Sequence, residues 1–287
     1  MKFWFQGGSY LIKVGFIGYG SMGSMIVQGF IRSGAISPEE MIVSTRTKSK
    51  LDKIKSDFTK LNIAESNSDV AIRAKYIFIC VKPLEVMDVV KEIKNSLTKE
   101  SVIISIAGPV AMKYIENAAD AKVIKLTPSL TSEVSEGVSL ICYGQKVGTD
   151  EANYVDSLLN SISVVKRIRE EDFELAAELT SCAPGFFASI LDEFVKSALR
   201  QNSGLSKEDV EDMVLHTFYG TAKVLMDKNM RFYDMIQRVA TKGGITEEGV
   251  KIFSNYLPDT FDKMFGATLE KRKAVRKKIE DSLIDFY

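Results

Sequence analysis

The feature that most constrains the fold is a short apolar run that ends in three spaced glycines. The run "VGFIGYGSMG" covers Val14–Gly23, and a helical pattern follows it over 21–33. In this strand-to-helix setting Gly18 permits a tight turn, and Gly20 lets the backbone approach a pyrophosphate. Gly23 allows the helix to pack closely on the strand. The pattern predicts a phosphate-binding turn, and the alternative is a tight turn without a ligand.

The first half of the chain repeats this rhythm of apolar runs and helical stretches, such as the one at 84–96. The runs are rich in Val and Ile and most lack polar alternation, which is typical of parallel strands buried on both faces. We therefore predict an α/β fold with a Rossmann-type doubly wound sheet over 13–165, after an N-terminal extension over 1–12. The predicted strands are 13–18, 41–45, 76–81, 102–108, 123–128 and 138–144.

After about Val165 the strand pattern stops, and the rest, 166–287, is predicted to be an all-helical C-terminal dimerisation domain. Ser206 is a good N-cap, and Pro258 suits the first turn of a last helix. The surplus of apolar residues in these helices favours burial against a second copy, as a homodimer or higher homo-oligomer. The predicted helices are 170–180, 185–201, 206–228, 246–256 and 258–284.

Composition argues against several classes of function. Lys+Arg and Asp+Glu each count 38, so the net charge is zero and no strong field recruits nucleic acid or a membrane surface. Cys80, Cys142 and Cys182 are far apart and the chain has one histidine, His216, so no metal site is expected. We expect a packed or hydrogen-bonded His216 and an inert Cys182. Without a membrane-length apolar run or a signal-peptide layout, the expected location is the cytoplasm.

The end of the second predicted strand indicates the cofactor. An NAD-binding protein usually has an acid there for the ribose 2′-hydroxyl. Here "VSTRTKSK" supplies Ser44, Thr45 and Arg46, and no acid occurs over 41–50. Because a guanidinium can bind a phosphate bidentately, NADP(H) is predicted, with NAD(H) as the alternative cofactor. A solvated basic turn would show the same residues.

Several motifs in order resemble the pyrroline-5-carboxylate reductase family. They are "GFIGYGSMG", "STR", "CVKP", "SIAG" and "KGGITEEGV", and the resemblance runs from about Lys13 to about Phe265. It implies a Rossmann domain, a dimerising helical domain, and reduction of 1-pyrroline-5-carboxylate to L-proline with NADPH. The cofactor-binding residues that it implies are Gly18, Tyr19, Gly20, Ser21, Met22, Gly23, Ser44, Thr45, Arg46, Asn67, Cys80, Val81, Lys82, Pro83, Ile106, Ala107 and Gly108.

The resemblance also places the small-molecule substrate at the "GGIT" loop. Gly243, Gly244, Ile245 and Thr246 are the implied substrate-binding residues, and Thr246 is the catalytic candidate, with its hydroxyl beside the imine nitrogen. Thr246 before two glutamates is also a good helix N-cap, and both roles are compatible. Lys125 has two open interpretations, a contact to a phosphate or carboxylate and a lysine at a sheet edge.

Two segments depart from the family pattern. "KLTPSLT" stands where the family has R-x-MPN-T-P, and "TSCAPG" stands where it has SGSGPA. These changes resemble the family's divergent late-competence-protein branch. Two alternatives therefore accompany the reductase hypothesis. One is a reductase of another small imino or keto acid, and the other is a non-catalytic NADP-binding homologue.

Overall fold

The computed structural model describes residues 12–201 and 204–284 of the 287-residue chain. It contains two compact units. The first runs to Cys182 and takes in the chain again from Lys271, and the second covers Ala183–Glu270. This division differs from a single boundary after Val165, because the end of the last helix belongs to the first unit. The predicted N-terminal extension, apart from Ile12, lies outside the described residues.

The first unit is built on an eight-stranded sheet with the order β3-β2-β1-β4-β5-β6-β7-β8. All neighbouring strands are parallel except β6 and β7, which are antiparallel. The six predicted strands and the α/β fold class are confirmed, whereas β3 and β8 were not predicted. The strands are β1 Ile12–Ile17, β2 Met41–Ser44, β3 Asn62–Ile63, β4 Ala74–Ile79, β5 Val102–Ser105, β6 Lys122–Thr127, β7 Gly137–Tyr143 and β8 Ser163–Arg167.

The strand side chains fill two apolar layers, one on each face of the sheet. In β4, Phe78 belongs to one layer and Ile77 and Ile79 belong to the other. Phe78 stacks on Phe16 of β1, with 4.9 Å between the ring centroids. Continuous burial of both faces explains why these strands read as unbroken apolar runs.

Helices cover both faces of this sheet. The capping of α3 is local: the Ser66 side chain accepts a hydrogen bond from the Asp69 N–H, which satisfies a free donor of the first turn. After α7 the helix continues through one π-helical turn, Glu178–Cys182. The helices are α1 Ser21–Arg32, α2 Lys48–Asp57, α3 Asn67–Arg73, α4 Val86–Ile93, α5 Met112–Ala119, α6 Thr149–Asn160 and α7 Phe173–Ala177.

The second unit is helical, as predicted. Ser206 caps α9 by accepting the Asp209 N–H at 3.0 Å, and α10 was not predicted. No helix in the described part of the chain has the length and hydropathy needed to cross a membrane. The helices are α8 Ala183–Leu199, α9 Lys207–Asp227, α10 Phe232–Val239 and α11 Ile245–Ile284, of which α11 ends in the first unit.

The two helices predicted at 246–256 and 258–284 are one helix. Pro258 lies inside α11, so its predicted place in the first turn of a separate helix is wrong. A proline removes a single backbone donor, and the surrounding turns of α11 keep the helix continuous. Beyond Lys271, Ile279 and Leu283 are buried in the apolar layer of the first unit that also contains β4 residues.

The helical unit leaves much of its apolar surface exposed in a single chain. Over the described residues between 183 and 270, the buried hydrophobic side chains are those of Ala183, Val195 and Val210. Large contiguous apolar surface on a protein indicates an interaction site. The exposed apolar side chains of α9 include Met213, Leu215, Phe218, Tyr219, Val224 and Met226.

Candidate active site

A cleft of about 440 Å³ opens at the carboxyl ends of β1, β2 and β4. β1 lies between β2 and β4, so the strand order reverses at this point. Ligands of open α/β sheets bind at such a reversal, outside the carboxyl ends of the strands. The cleft is lined by Ile17, Gly18, Tyr19, Gly20, Thr45, Arg46, Thr47, Lys50, Asn67, Cys80, Val81, Lys82, Glu85, Asp88, Val89 and Glu92.

The three glycines at the end of β1 have different physical roles. A Cβ on Gly18, where φ is +98°, would lie 2.7 Å from the Cys80 carbonyl oxygen. One on Gly23 would lie 2.4 Å from the Gly18 oxygen. A Cβ on Gly20 would have no atom of a more distant described residue within 4 Å. Packing therefore requires the outer two glycines, while the middle one leaves its backbone open to a phosphate, which fits a dinucleotide cofactor.

The wall beside β2 carries a chain of polar side chains. Ser44 Oγ donates to Asn67 Oδ1 at 2.7 Å, and Asn67 Nδ2 donates to Glu92 Oε2 at 2.8 Å. Ser44 is buried and Asn67 is half-buried. These bonds fix the orientation of the Asn67 amide at the cleft.

Arg46 reaches across the cleft to an acid. Its guanidinium forms an ion pair with Glu85, with 2.5 Å between Arg46 Nη2 and Glu85 Oε1. The other oxygen of Glu85 accepts the Lys82 N–H at 3.2 Å. The hydrogen bond from Arg46 lowers the pKa of Glu85, so this carboxyl is charged at neutral pH. On the same side, Lys50 Nζ donates to the Tyr19 carbonyl at 3.1 Å.

The predicted site residues do not include seven residues that line this cleft. Glu85, Asp88 and Glu92 have the spacing i, i+3, i+7, which places them on one face of a helix. From that spacing, three acidic side chains lining the cleft near Arg46 could have been predicted. The full set is Ile17, Thr47, Lys50, Glu85, Asp88, Val89 and Glu92.

Eight of the predicted cofactor residues do not line this cleft. Ser21, Met22 and Gly23 form the first turn of α1, directly after the open Gly20. Ser44 acts through Asn67, and Pro83 begins the short helical turn that contains Glu85. Ile106, Ala107 and Gly108 follow β5.

Gly108 lines a second, water-sized cavity of about 10 Å³. Thr127, also in its lining, has a buried hydroxyl without a hydrogen-bond partner among the described residues. This hydroxyl marks a polar spot within the first unit, at the carboxyl end of β6.

Lys125 has an internal partner. It lies on β6 between β5 and β7, so the edge interpretation is wrong. Its Nζ is 3.0 Å from Glu170 Oε1 and 5.2 Å from the Phe173 ring centroid. The same Glu170 oxygen accepts the Met112 N–H at 2.9 Å. Lys125 is therefore a buried carboxylate contact.

The "GGIT" loop turns at Gly243, whose φ is +76°. The Gly243 N–H donates to Glu247 Oε2 at 2.8 Å, so a carboxylate of the chain occupies this donor. α11 begins at Ile245, so Thr246 lies in its first turn and the expectation of an N-cap is wrong. Thr246 is exposed, and Ile245 is 96% exposed.

Comparison with known proteins relates both units to one family. Residues 13–109 match the family model described as NADP oxidoreductase coenzyme F420-dependent. Residues 170–275 match the model for pyrroline-5-carboxylate reductase dimerisation. Pyrroline-5-carboxylate reductase 3 of Bacillus subtilis (strain 168) is 36% identical over 93% of this chain and 98% of its own length. The chain belongs to the pyrroline-5-carboxylate reductase family.

Another relative and two solved structures are similar to nearly the whole chain. ComE operon protein 4 of the same strain is 31% identical over 90% of this chain and 94% of its own length. The solved structure of a Coxiella burnetii pyrroline-5-carboxylate reductase has a TM-score of 0.81 and 25% identity, covering 94% of this chain and 98% of that one. A Plasmodium falciparum pyrroline carboxylate reductase, solved with NADP bound, has a TM-score of 0.80 at 24% identity, covering 95% and 99%.

Membership of the pyrroline-5-carboxylate reductase family identifies the class of enzyme. The protein is an NAD(P)H-dependent oxidoreductase acting on a CH–NH bond, and its cofactor is NADP(H), as the strand end at Arg46 predicted. The match to a dimerisation model supports a homo-oligomer.

Two further residues of this family member have partners that the sequence did not show. Arg272 Nη2 lies 3.1 Å from Cys182 Sγ, and its Nε also pairs with buried Glu178. Burial raises the pKa of Cys182, although Arg272 opposes the shift, so the thiol is protonated at neutral pH. His216 is 78% exposed, with Nε2 3.4 Å from Asp212; it is paired on the surface of α9.

Proposed function

We propose that the protein reduces 1-pyrroline-5-carboxylate to L-proline with NADPH. The observation that carries this proposal is the cleft at the reversal of the strand order, whose backbone is open at Gly20. The choice of substrate rests on the relatives that are named pyrroline-5-carboxylate reductases. We also propose that 13–165 holds the cofactor and that 166–287 provides dimerisation and the substrate loop. The cytoplasmic location stays a prediction.

In this proposal the cofactor pyrophosphate lies against the Gly20 backbone and the first turn of α1, where helix N–H groups favour an anion. Thr45 and Arg46 bind the 2′-phosphate, because hydroxyl and guanidinium donors suit its oxygens. Ser44 positions Asn67 at the ribose side through their hydrogen bond. The segments Cys80–Pro83 and Ile106–Gly108 line the remaining length of the cofactor.

NADPH supplies the hydride, so the protein has to bind and orient the two reactants. The hydride adds to the imine carbon, and an imine nitrogen that arrives protonated needs no strong acid from the chain. This agrees with the composition of this chain, whose single histidine is exposed on α9. The exposed Thr246 hydroxyl would accept a hydrogen bond from the iminium N–H.

The substrate carboxylate would meet the "GGIT" loop. Gly243, Gly244 and Ile245 present backbone at the start of α11, where an anion is stabilised. Glu247 already occupies the Gly243 N–H, so the substrate either uses neighbouring donors or displaces this carboxylate. The exposure of the helical unit favours a homodimer as the assembly.

The decisive experiment follows NADPH oxidation with 1-pyrroline-5-carboxylate. Turnover is expected, with a matched panel of other cyclic imines and small keto acids reacting more slowly. Thr246→Ala should lower kcat/KM about tenfold or more and leave the NADPH Kd unchanged. Thr260→Ala, at another exposed threonine of α11, is the matched control. An unchanged rate in Thr246→Ala would refute the role of this hydroxyl.

A second candidate function is a non-catalytic NADP-binding homologue. The internal pairing of Lys125 with Glu170 favours it, since Lys125 stands in a segment that departs from the family pattern. The relative named ComE operon protein 4 adds support. Tight NADPH binding without turnover of any panel member would favour this candidate over the reductase, and faster turnover of another panel member would favour a different imino or keto acid.

A further inference from the structure

We propose that Glu85 competes with the cofactor's 2′-phosphate for Arg46 and thereby sets the preference between NADPH and NADH. The inference rests on the proposed placement of that phosphate at Arg46. The observation behind it is the ion pair across the cleft, in which Glu85 holds the guanidinium that the phosphate needs.

The position of Glu85 is fixed by the chain around it. Pro83–Glu85 forms a short helical turn, and Glu85 Oε2 accepts the Lys82 N–H at 3.2 Å. The side chain of Glu85 is 34% exposed, whereas that of Arg46 is 83% exposed. Arg46 is thus the more exposed partner of the pair, and Glu85 is held by a second hydrogen bond, from the Lys82 N–H.

Two arrangements of Arg46 are possible when NADPH is bound, and in both of them Glu85 weakens the binding of NADPH. If Arg46 turns to the phosphate, the ion pair with Glu85 is lost. If the guanidinium bridges both groups, Glu85 and the phosphate are held close together and repel each other. NADH lacks the phosphate and leaves the pair intact. Glu85 therefore weakens NADPH binding relative to NADH binding.

Asp88 provides a matched comparison. It lines the same cleft from the first turn of α4, three residues beyond Glu85, and it carries the same charge. No hydrogen bond or ion pair joins it to Arg46 in the described part of the chain. Any general effect of negative charge on the cofactor should appear in Asp88→Asn, whereas competition for Arg46 should appear in Glu85→Gln alone.

The test measures Kd for NADPH and NADH by titration calorimetry at 0.15 M salt. Glu85→Gln keeps an oxygen for the Lys82 N–H and removes the charge. It should tighten NADPH binding about three- to fivefold, the range of an exposed ion pair, and change NADH binding less than about 1.5-fold. Asp88→Asn measures the general effect of a negative charge in the cleft, and it should tighten NADPH binding less than Glu85→Gln does. In an Arg46→Ala background the gain from Glu85→Gln should shrink.

The outcomes test two statements separately: that the 2′-phosphate lies at Arg46, and that Glu85 competes with it for the guanidinium. If Arg46→Ala leaves the NADPH Kd unchanged, the phosphate does not lie there and the competition is overturned with it. If Arg46→Ala weakens NADPH binding but Glu85→Gln gains no more than Asp88→Asn, the phosphate placement stands and the competition is overturned. An equal gain for NADPH and NADH in Glu85→Gln also overturns it.

Discussion

The two units differ in how far a single chain completes them. The first buries both faces of its sheet, and residues that line its cleft contact each other, such as Arg46 with Glu85. The second leaves most of its large apolar side chains exposed, and Thr246 is exposed as well. The difference supports the proposal that a single chain binds the cofactor and that the helical unit, with its exposed substrate loop, pairs with a second copy.

The largest expected effect comes from breaking the exposed surface of α9. The double change Leu215→Asp and Tyr219→Asp places two charges on apolar residues of this surface, which are 60% and 67% exposed. We expect a monomer by light scattering and at least a hundredfold lower turnover, with NADPH still bound. His216→Asp on the same helix is the control, since it adds charge without removing apolar surface. A dimeric double variant would contradict this view of the helical unit.

The second effect separates folding from binding within the first unit. Gly23→Ala should lower the free energy of unfolding by about 2–3 kcal/mol, because its Cβ would lie 2.4 Å from a backbone oxygen. Gly20→Ala has open space around it and should change stability by less than about 0.5 kcal/mol. It should nevertheless weaken NADPH binding about tenfold. Chemical denaturation and calorimetry measure the two quantities, and equal effects of both changes on stability would contradict the assignment.

The third effect concerns the choice of cofactor. Arg46→Ala should raise the NADPH KM about tenfold and the NADH KM less than twofold, because charge-assisted bonds to the 2′-phosphate are lost. Steady-state rates with each cofactor give the ratio. Lys60→Ala, a basic residue of the same unit paired with Glu39, is the control. The same loss with both cofactors would place the phosphate elsewhere.

The smallest effect is a chemical one at the end of the first unit. Because burial raises the pKa of Cys182, its thiolate fraction should stay low until the pH exceeds the ordinary thiol value. Alkylation by iodoacetamide at pH 7.5 should be about tenfold slower than for a free cysteine and should rise above about pH 9. Peptide mass spectrometry gives the rates. Cys80, with a pKa of about 12, is the unreactive reference, and rapid labelling of Cys182 at pH 7 would show that Arg272 dominates.

Local pattern was sufficient for much of the fold and for the cofactor. Buried parallel strands leave unbroken apolar runs, so the strands could be predicted. The glycine spacing and Arg46 each lie within one short stretch of sequence, so the phosphate-binding turn and the cofactor could be predicted as well. β3 was not predicted, because a strand of two residues is too short to show a hydrophobic pattern. Pro258 gave the wrong boundary, because a proline fits both a first turn and the interior of a long helix that tolerates one missing bond.

Contacts between distant residues left no local signal. The contact of Arg272 with Cys182 could not be predicted, because Arg272 lies 90 residues later in the chain. Glu85 is 39 residues from Arg46, and its approach depends on the order of β1, β2 and β4 in the sheet. The occupation of the Gly243 N–H by Glu247 is local, but glutamates after a turn are equally common as simple first-turn residues.

The placement of the last turns of α11 in the core of the first unit has a consequence for synthesis. Ile279 and Leu283 pack in a layer that otherwise comes from the first half of the chain. Domains commonly fold from the N-terminus as they leave the ribosome. Here the apolar layer of the first unit cannot be complete until Leu283 has been synthesised, so the first unit is consolidated only after the whole second unit has been made.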